Sequence, residues 1–172
     1  MPQAINLLSL YDIGFDEEIA ETAATIEGNA LLKAKAVANA TGQHCFADDS
    51  GLLVDALNGA PGVHSARYAG EHKSDNDNID KLLRELSNHH NRKAHFKTVM
   101  ALVLHGCEHV FEGSVHGTII SERRGDNGFG YDPVFVPDGF SKTFAEMSMD
   151  EKNAISHRKI ALKKLLDFLK SA

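Results

Sequence analysis

Three short stretches hold most of the side chains in this sequence that could do chemistry. The first is Ala47-Asp48-Asp49-Ser50-Gly51, two carboxylates and a hydroxyl directly after a short apolar run. Successive side chains on an extended strand point to opposite sides, so only one of the aspartates need face a cleft. A carboxylate placed there can hold a divalent cation or accept a proton from an attacking water. Asp-Ser-Gly is also good turn chemistry, and taken alone the stretch reads first as the end of a strand.

The second stretch is Gly125-Asp126-Asn127-Gly128-Phe129-Gly130-Tyr131-Asp132-Pro133. Its glycines allow a flat ligand to approach the backbone, and the interleaved Phe129 and Tyr131 can stack on a base. Asp132 can accept a hydrogen bond from a ring N–H or hold the loop in place. No Gly-Lys-Ser/Thr follows, so this is not a P-loop. A plain turn between strands is the competing reading.

The third is the trio Lys152, His157 and Arg158. Ser148-x-x-Glu151 has the form of a capping box, which starts a helical turn near Met149. In one unbroken helix the three basic side chains splay around the axis and cannot meet one ligand. A break at Ser156, with that serine capping a new helix, puts His157 and Arg158 in a first turn beside free N–H groups, where anions bind. The competing reading is an amphipathic helix with a solvated basic face. Ala161, Leu165 and Phe168 have core spacing in either case.

The bulk composition constrains what these groups can serve. The chain has 172 residues and a formal net charge of -6, with 42% hydrophobic and 24% charged residues. That is ordinary for one globular domain, residues 1–172, and it argues against nucleic-acid binding, which needs a basic face. A polyphosphate ligand must then be met by a local basic cluster and a metal ion. Lys152, His157, Arg158 and Asp49 supply those parts. No apolar run approaches the roughly 18–20 residues of a membrane span, and no signal-peptide pattern opens the chain, so a cytoplasmic location is the default. Cys45 and Cys107 lack metal-ligand spacing and read as buried reduced thiols. Of the ten histidines, His89, His90, His95, His105, His109 and His116 show no ligand-like grouping and read as surface or strand-face residues.

Several elements must position these groups. Residues 4–9 read as a short strand and 12–21 as an acidic loop. A helix is predicted over Ile26–Thr41, capped by Thr25, stopped by Gly42, with Ala30, Leu31, Ala34, Val37 and Ala38 inward. A short strand at 44–47 ends at the aspartates, and 51–70 is mostly loop with room for a short helix. Ser74 caps a second helix reaching Ser87, with Ile79, Leu82, Leu83 and Leu86 inward. Residues 94–104 and 109–120 form an antiparallel hairpin. A short strand at 134–136 and helical sequence over 150–170 complete the chain. Interleaved strands and helices around an antiparallel pair indicate an α/β fold, a mixed sheet with flanking helices.

Taken together, these motifs resemble the inosine triphosphate pyrophosphatase family, the non-canonical purine NTP pyrophosphatases. The resemblance runs from about Glu21 to the C-terminus. It passes through Glu27-Gly-Asn29-Ala30, Ala47-Asp48-Asp49-Ser50-Gly51-Leu52, Gly59-Ala60-Pro61-Gly62-Val63 and Ser65-Ala66-Arg67-Tyr68. It continues through Gly128-Phe129-Gly130-Tyr131-Asp132-Pro133, Lys142-Thr143-Phe144-Ala145-Glu146 and Ile155-Ser156-His157-Arg158. It implies two lobes around a central cleft, usually in a homodimer, and Mg²⁺-dependent hydrolysis of ITP, dITP and XTP to the monophosphate and pyrophosphate. It implies Asp49 as proton acceptor and metal carboxylate, and Glu21 as second acidic partner. Ser50, Phe129, Gly130, Tyr131, Asp132, Lys152, His157 and Arg158 are the substrate-binding residues it implies. Family members usually begin with a strand, a Thr/Ser-x-Asn-x-x-Lys loop and a helix that hold the phosphates. Nothing in this sequence matches that segment, so an N-terminally shortened domain is expected. The alternative expectation is a catalytically impaired nucleotide-binding or dimerisation module.

Overall fold

The computed structural model describes residues 5–171. Helix α1, Ile26–Thr41, is capped by Thr25, whose side chain accepts from the Gly28 N–H, and it ends on Gly42 in the left-handed conformation. Its inward stripe includes Ala30, Ala34, Val37 and Ala38, as expected, while Leu31 is only partly buried and Asn29 is buried in its place. Small residues on that stripe let the helix lie close to the sheet.

The sheet has four strands in sequence order, β1 (Cys45–Val54), β2 (Lys93–Leu104), β3 (Cys107–Ile119) and β4 (Phe135–Pro137). Every pairing among them is antiparallel, so the expected mixed sheet is an antiparallel one among the described residues. The hairpin turns on His105 and Gly106, both at positive φ. The connection from β1 to β2 carries two 3₁₀ helices, Asp55–Leu57 and Gly62–Arg67, in the stretch expected to be mostly loop, and then helix α2, Asp75–Glu85, as expected. Ser74 caps α2, and Ile79, Leu82 and Leu86 are buried beneath it.

Two sequence expectations fail here for physical reasons. β1 does not stop at the aspartates: Asp48 to Val54 pair with Met100 to Ala94, because β2 is long enough to keep pairing past them. The strand expected at 4–9 does not form. Ala4 lies outside the described residues, and residues 5–9 are irregular, with Leu7 and Leu8 about half exposed. A short apolar segment becomes a strand only when a neighbour accepts its hydrogen bonds, and among the described residues none pairs with it.

The long hairpin spans three apolar clusters. One face of its first half meets α1 through Val99 and Ala101, and the other meets α4, His157–Ser171, through Met100, Leu102, Ala161 and Leu165. Its second half joins Leu52, Val54, Ile79, Leu82, Phe135 and Phe144 in the largest cluster. β1 touches all three clusters, Phe46 the α4 cluster, Ala47 and Leu53 the α1 cluster, and Leu52 and Val54 the largest one, with Asp48, Asp49 and Ser50 between them.

The C-terminal break occurs as expected. Helix α3, Met149–Ile155, opens with a complete capping box between Ser148 and Glu151 and ends at Ser156, which is extended. Ser156 Oγ then accepts from the Lys159 N–H at 3.2 Å and starts α4. The start of α4 lies directly on β3 at Gly113, where any Cβ would collide with the His157 carbonyl oxygen. Both cysteines are free, but neither is fully buried as expected: Cys45 is partly buried and Cys107 exposed.

Candidate active site

Asp48 and Asp49 face opposite sides of β1. On the α1 side, Asp49 Oδ1 lies 3.1 Å from Lys33 Nζ, and the same ammonium lies 3.0 Å from Glu21 Oε1. Arg67 Nη2 approaches the other Glu21 oxygen at 3.4 Å. Burial raises the Asp49 pKa above the ordinary carboxylate range, with Lys33 countering part of that rise. Burial pulls Lys33 down, but its two carboxylates outweigh that and leave it above the usual lysine value. A carboxyl group raised in this way is a better proton acceptor than an exposed aspartate.

On the α4 side, Ser50 Oγ and buried Thr98 Oγ1 share a hydrogen bond of 2.6 Å. Asp48 accepts from Arg158 at 3.1 and 3.2 Å. Beyond them opens a cleft of about 690 Å³ lined by Asn127, Gly128, Phe129, Phe144, Met147, Lys152, His157 and Arg158, among others. Asp49 is not part of its lining.

Behind the cleft wall, Asp132 is 3% exposed. It forms an ion pair with Lys152 and accepts from the Phe129 N–H at 2.9 Å. Its pKa is raised by burial, against the pull of Lys152. Of the two roles open to it, holding the loop is the one seen. Gly128 makes this possible: at φ +81°, a Cβ would strike the Asp132 carboxylate. Gly130 donates to Asp75 Oδ2 at 2.7 Å, anchoring the loop to the start of α2. Phe129 is 68% exposed, and Lys152 Nζ sits 4.7 Å from its ring centre. Its ring is free to stack.

Tyr131 corrects the sequence reading. Its side chain is 3% exposed in the main core, and its hydroxyl donates to the Ser65 carbonyl at 2.8 Å. A ring packed there cannot stack on a base; it ties the loop to the 3₁₀ helix carrying Arg67.

His157 corrects a second expectation. It stacks on Phe96 with ring centres 5.0 Å apart and its Nδ1 is buried without a partner. Burial, with Arg158 and Lys152 nearby, lowers its pKa to about 4, so it adds no positive charge at neutral pH. Lys152 is matched by Asp132 and Arg158 by Asp48. The expected basic cluster is therefore a donor-rich pocket in which two of three lining cations are matched, Lys159 being the third.

Lys33 is the residue that sequence reasoning missed. It lies in α1, 16 positions before Asp49, and only the packing of α1 on β1 brings the two together.

This chain belongs to the Ham1 family, whose pattern matches residues 1–168. It is 54% identical over 171 residues to the dITP/XTP pyrophosphatase of Flavobacterium psychrophilum, covering 99% of this chain and 90% of that protein. With the dITP/XTP pyrophosphatase of Bacillus subtilis it is 50% identical over 173 residues, covering 99% of this chain and 87% of the relative. Among solved structures, the Staphylococcus aureus Ham1 protein matches with TM-score 0.93 and 44% identity over 96% of this chain and 87% of that one.

Proposed function

We infer that this chain hydrolyses non-canonical purine nucleoside triphosphates, dITP, ITP and XTP, to the monophosphate and pyrophosphate. The relatives that match nearly all of it are dITP/XTP pyrophosphatases. The observation that carries the mechanism is the single ammonium of Lys33 held between Asp49 and Glu21.

Two carboxylates converging on one cationic centre suit a divalent cation. Mg²⁺ is the ion we propose, because it typically takes one or two carboxylates and completes its shell with water and substrate phosphates. Among the described residues no third His, Cys, Asp or Glu joins the pair. When bound, the ion would neutralise phosphate charge and polarise the phosphoanhydride. Asp49 takes the proton from water as its oxygen bonds to phosphorus and the α–β bridging oxygen departs with pyrophosphate. Lys33, now paired with both carboxylates, would be the ammonium available to a phosphate oxygen when the ion is held there.

The cleft supports base selection. Phe129 offers a stacking face, while Lys152 and Arg158 present N–H donors and His157 an unpartnered ring nitrogen. A 6-oxo purine meets these donors with an acceptor; a 6-amino group sets donor against donor, which a buried site discriminates strongly. Ser50, Gly130, Tyr131 and Asp132 complete the proposed binding set, the last two by positioning. Homodimeric assembly and a cytoplasmic location belong to the same proposal. Among the described residues no helix is long and apolar enough to cross a membrane.

Product analysis by ³¹P NMR tests the reading. XTP with Mg²⁺ is expected to give the monophosphate and pyrophosphate, with ATP turning over far more slowly. Release of orthophosphate and a diphosphate, or equal rates on ATP, would contradict it.

A further inference from the structure

A carboxylate that holds a cation must stay in one place, and Glu21 sits where the backbone does least to fix it. Residues around it, 15–23, form neither helix nor strand. Two side chains locate its carboxylate: Lys33 at 3.0 Å and Arg67 at 3.4 Å. They are not equivalent. Lys33 is shared with Asp49, so a cation settling between the two carboxylates displaces it. The carboxylates within reach of Arg67 are Glu21 and the highly exposed Glu71, at 4.0 Å.

Arg67 stands on a platform that is tied down on both sides. The Leu52 N–H donates to Ser65 Oγ at 2.9 Å, and Tyr131 holds the Ser65 carbonyl at 2.8 Å. Asn78, 2% exposed, donates to the Ala66 carbonyl at 3.0 Å and accepts from the Ala69 N–H at 2.7 Å. Lys81 Nζ donates to the Tyr68 carbonyl at 2.8 Å. Backbone groups before and after Arg67 are thus bonded to the core or to α2, while the segment bearing Glu21 is tied to α1 at one end, where the Ala23 N–H donates to Asn29 Oδ1 at 2.9 Å.

We propose that Arg67 is a positioning residue for the cation site, holding Glu21 opposite Asp49 once Lys33 has been displaced. The proposal rests on Glu21 and Asp49 being the cation-holding pair. Charge alone would make Arg67 do the reverse: a guanidinium beside the site repels a divalent cation, and its removal would tighten binding. Positioning makes removal weaken it, as loss of an outer partner of a metal ligand does. The sign of the effect therefore separates the two roles.

The test is Mn²⁺ titration of the full chain by calorimetry without nucleotide, with thermal midpoints recorded alongside. Arg67→Gln is expected to weaken Mn²⁺ binding about tenfold, within the range for outer-shell partners. Arg67→Lys, which keeps a donor, should fall between wild type and Arg67→Gln and guards against a misfolded glutamine variant. Glu71→Gln should bind like wild type. Unchanged or tighter binding in Arg67→Gln, with Glu21→Gln weakened, overturns the role of Arg67 and leaves the cation pair standing. Unchanged binding in Glu21→Gln, or no binding in wild type, overturns the cation pair itself.

Discussion

Asp48 and Asp49 are neighbours in sequence, yet the two sides of β1 they face are built differently. On the Asp49 side, Glu21, Lys33 and Arg67 are held mainly by charge, at 20–32% side-chain exposure. On the other side the Asp48–Arg158 pair is itself exposed, but beyond it Lys152 and Asp132 are 12% and 4% exposed, His157 is stacked on Phe96, and glycines let the backbone close in. Ion pairs near water are weak and exchange partners readily, which suits groups that must meet a cation and then a phosphate. Buried, packed donors are fixed in advance, which suits choosing between purines that differ at one substituent. The difference fits the proposed division, with chemistry at the first face and base selection at the second.

The largest effect that would sharpen this contrast is on rate. Asp49→Asn is expected to lower kcat about 10³-fold, within the range for loss of a general base, with the thermal midpoint unchanged or raised. The midpoint expectation follows from burial, which disfavours the Asp49 charge. Loss of folding in this variant would break the contrast, because it would make Asp49 structural.

The packed face should respond in stability instead. Lys152→Met strands a buried carboxylate and should cost roughly 3 kcal/mol in denaturant unfolding, with much of it recovered in the Lys152→Met, Asp132→Asn double variant. An equal loss in the double variant would show that Lys152 acts through packing alone. His157 gives a pH signature of similar size. Its folded pKa of about 4 lies below its ordinary value of 6.5, so the unfolded chain binds the extra proton between them. Stability should therefore fall as pH drops from 6.5 toward 4, by up to about 3 kcal/mol. Asp49 and Asp132 are shifted upward and act in the opposite sense, so the slope to compare is wild type against His157→Gln, which should be flatter through that window.

Phe129→Ala gives the smallest effect. Loss of one stacking face is worth roughly 1–3 kcal/mol per base, so KM for XTP should rise about tenfold or more with stability untouched. An unchanged KM would remove Phe129 from the base site.

The sequence made local structure legible where local chemistry decides it. Thr25 and Gly42 bounded α1, Ser148 and Glu151 opened α3, and Ser156 split the C-terminal helix, all through capping. Hidden were features set by tertiary packing. Lys33 looks like any helix-surface lysine until α1 meets β1. Tyr131 reads as a stacking aromatic because its burial depends on Ser65, 66 positions away. The neutrality of His157 depends on Phe96 and on the close approach of α4 to Gly113. The strand expected at residues 4–9 had apolar residues enough, but among the described residues no strand lies beside it.

The most direct test of divided labour is selectivity in a crippled enzyme. The ratio of kcat/KM for XTP to that for ATP should be measured in wild type and in Asp49→Asn. The variant is expected to lose rate on both substrates alike and to keep the wild-type ratio. A ratio that collapses toward one, or a variant as fast as wild type, would contradict the assignment of chemistry to one face of β1 and base choice to the other.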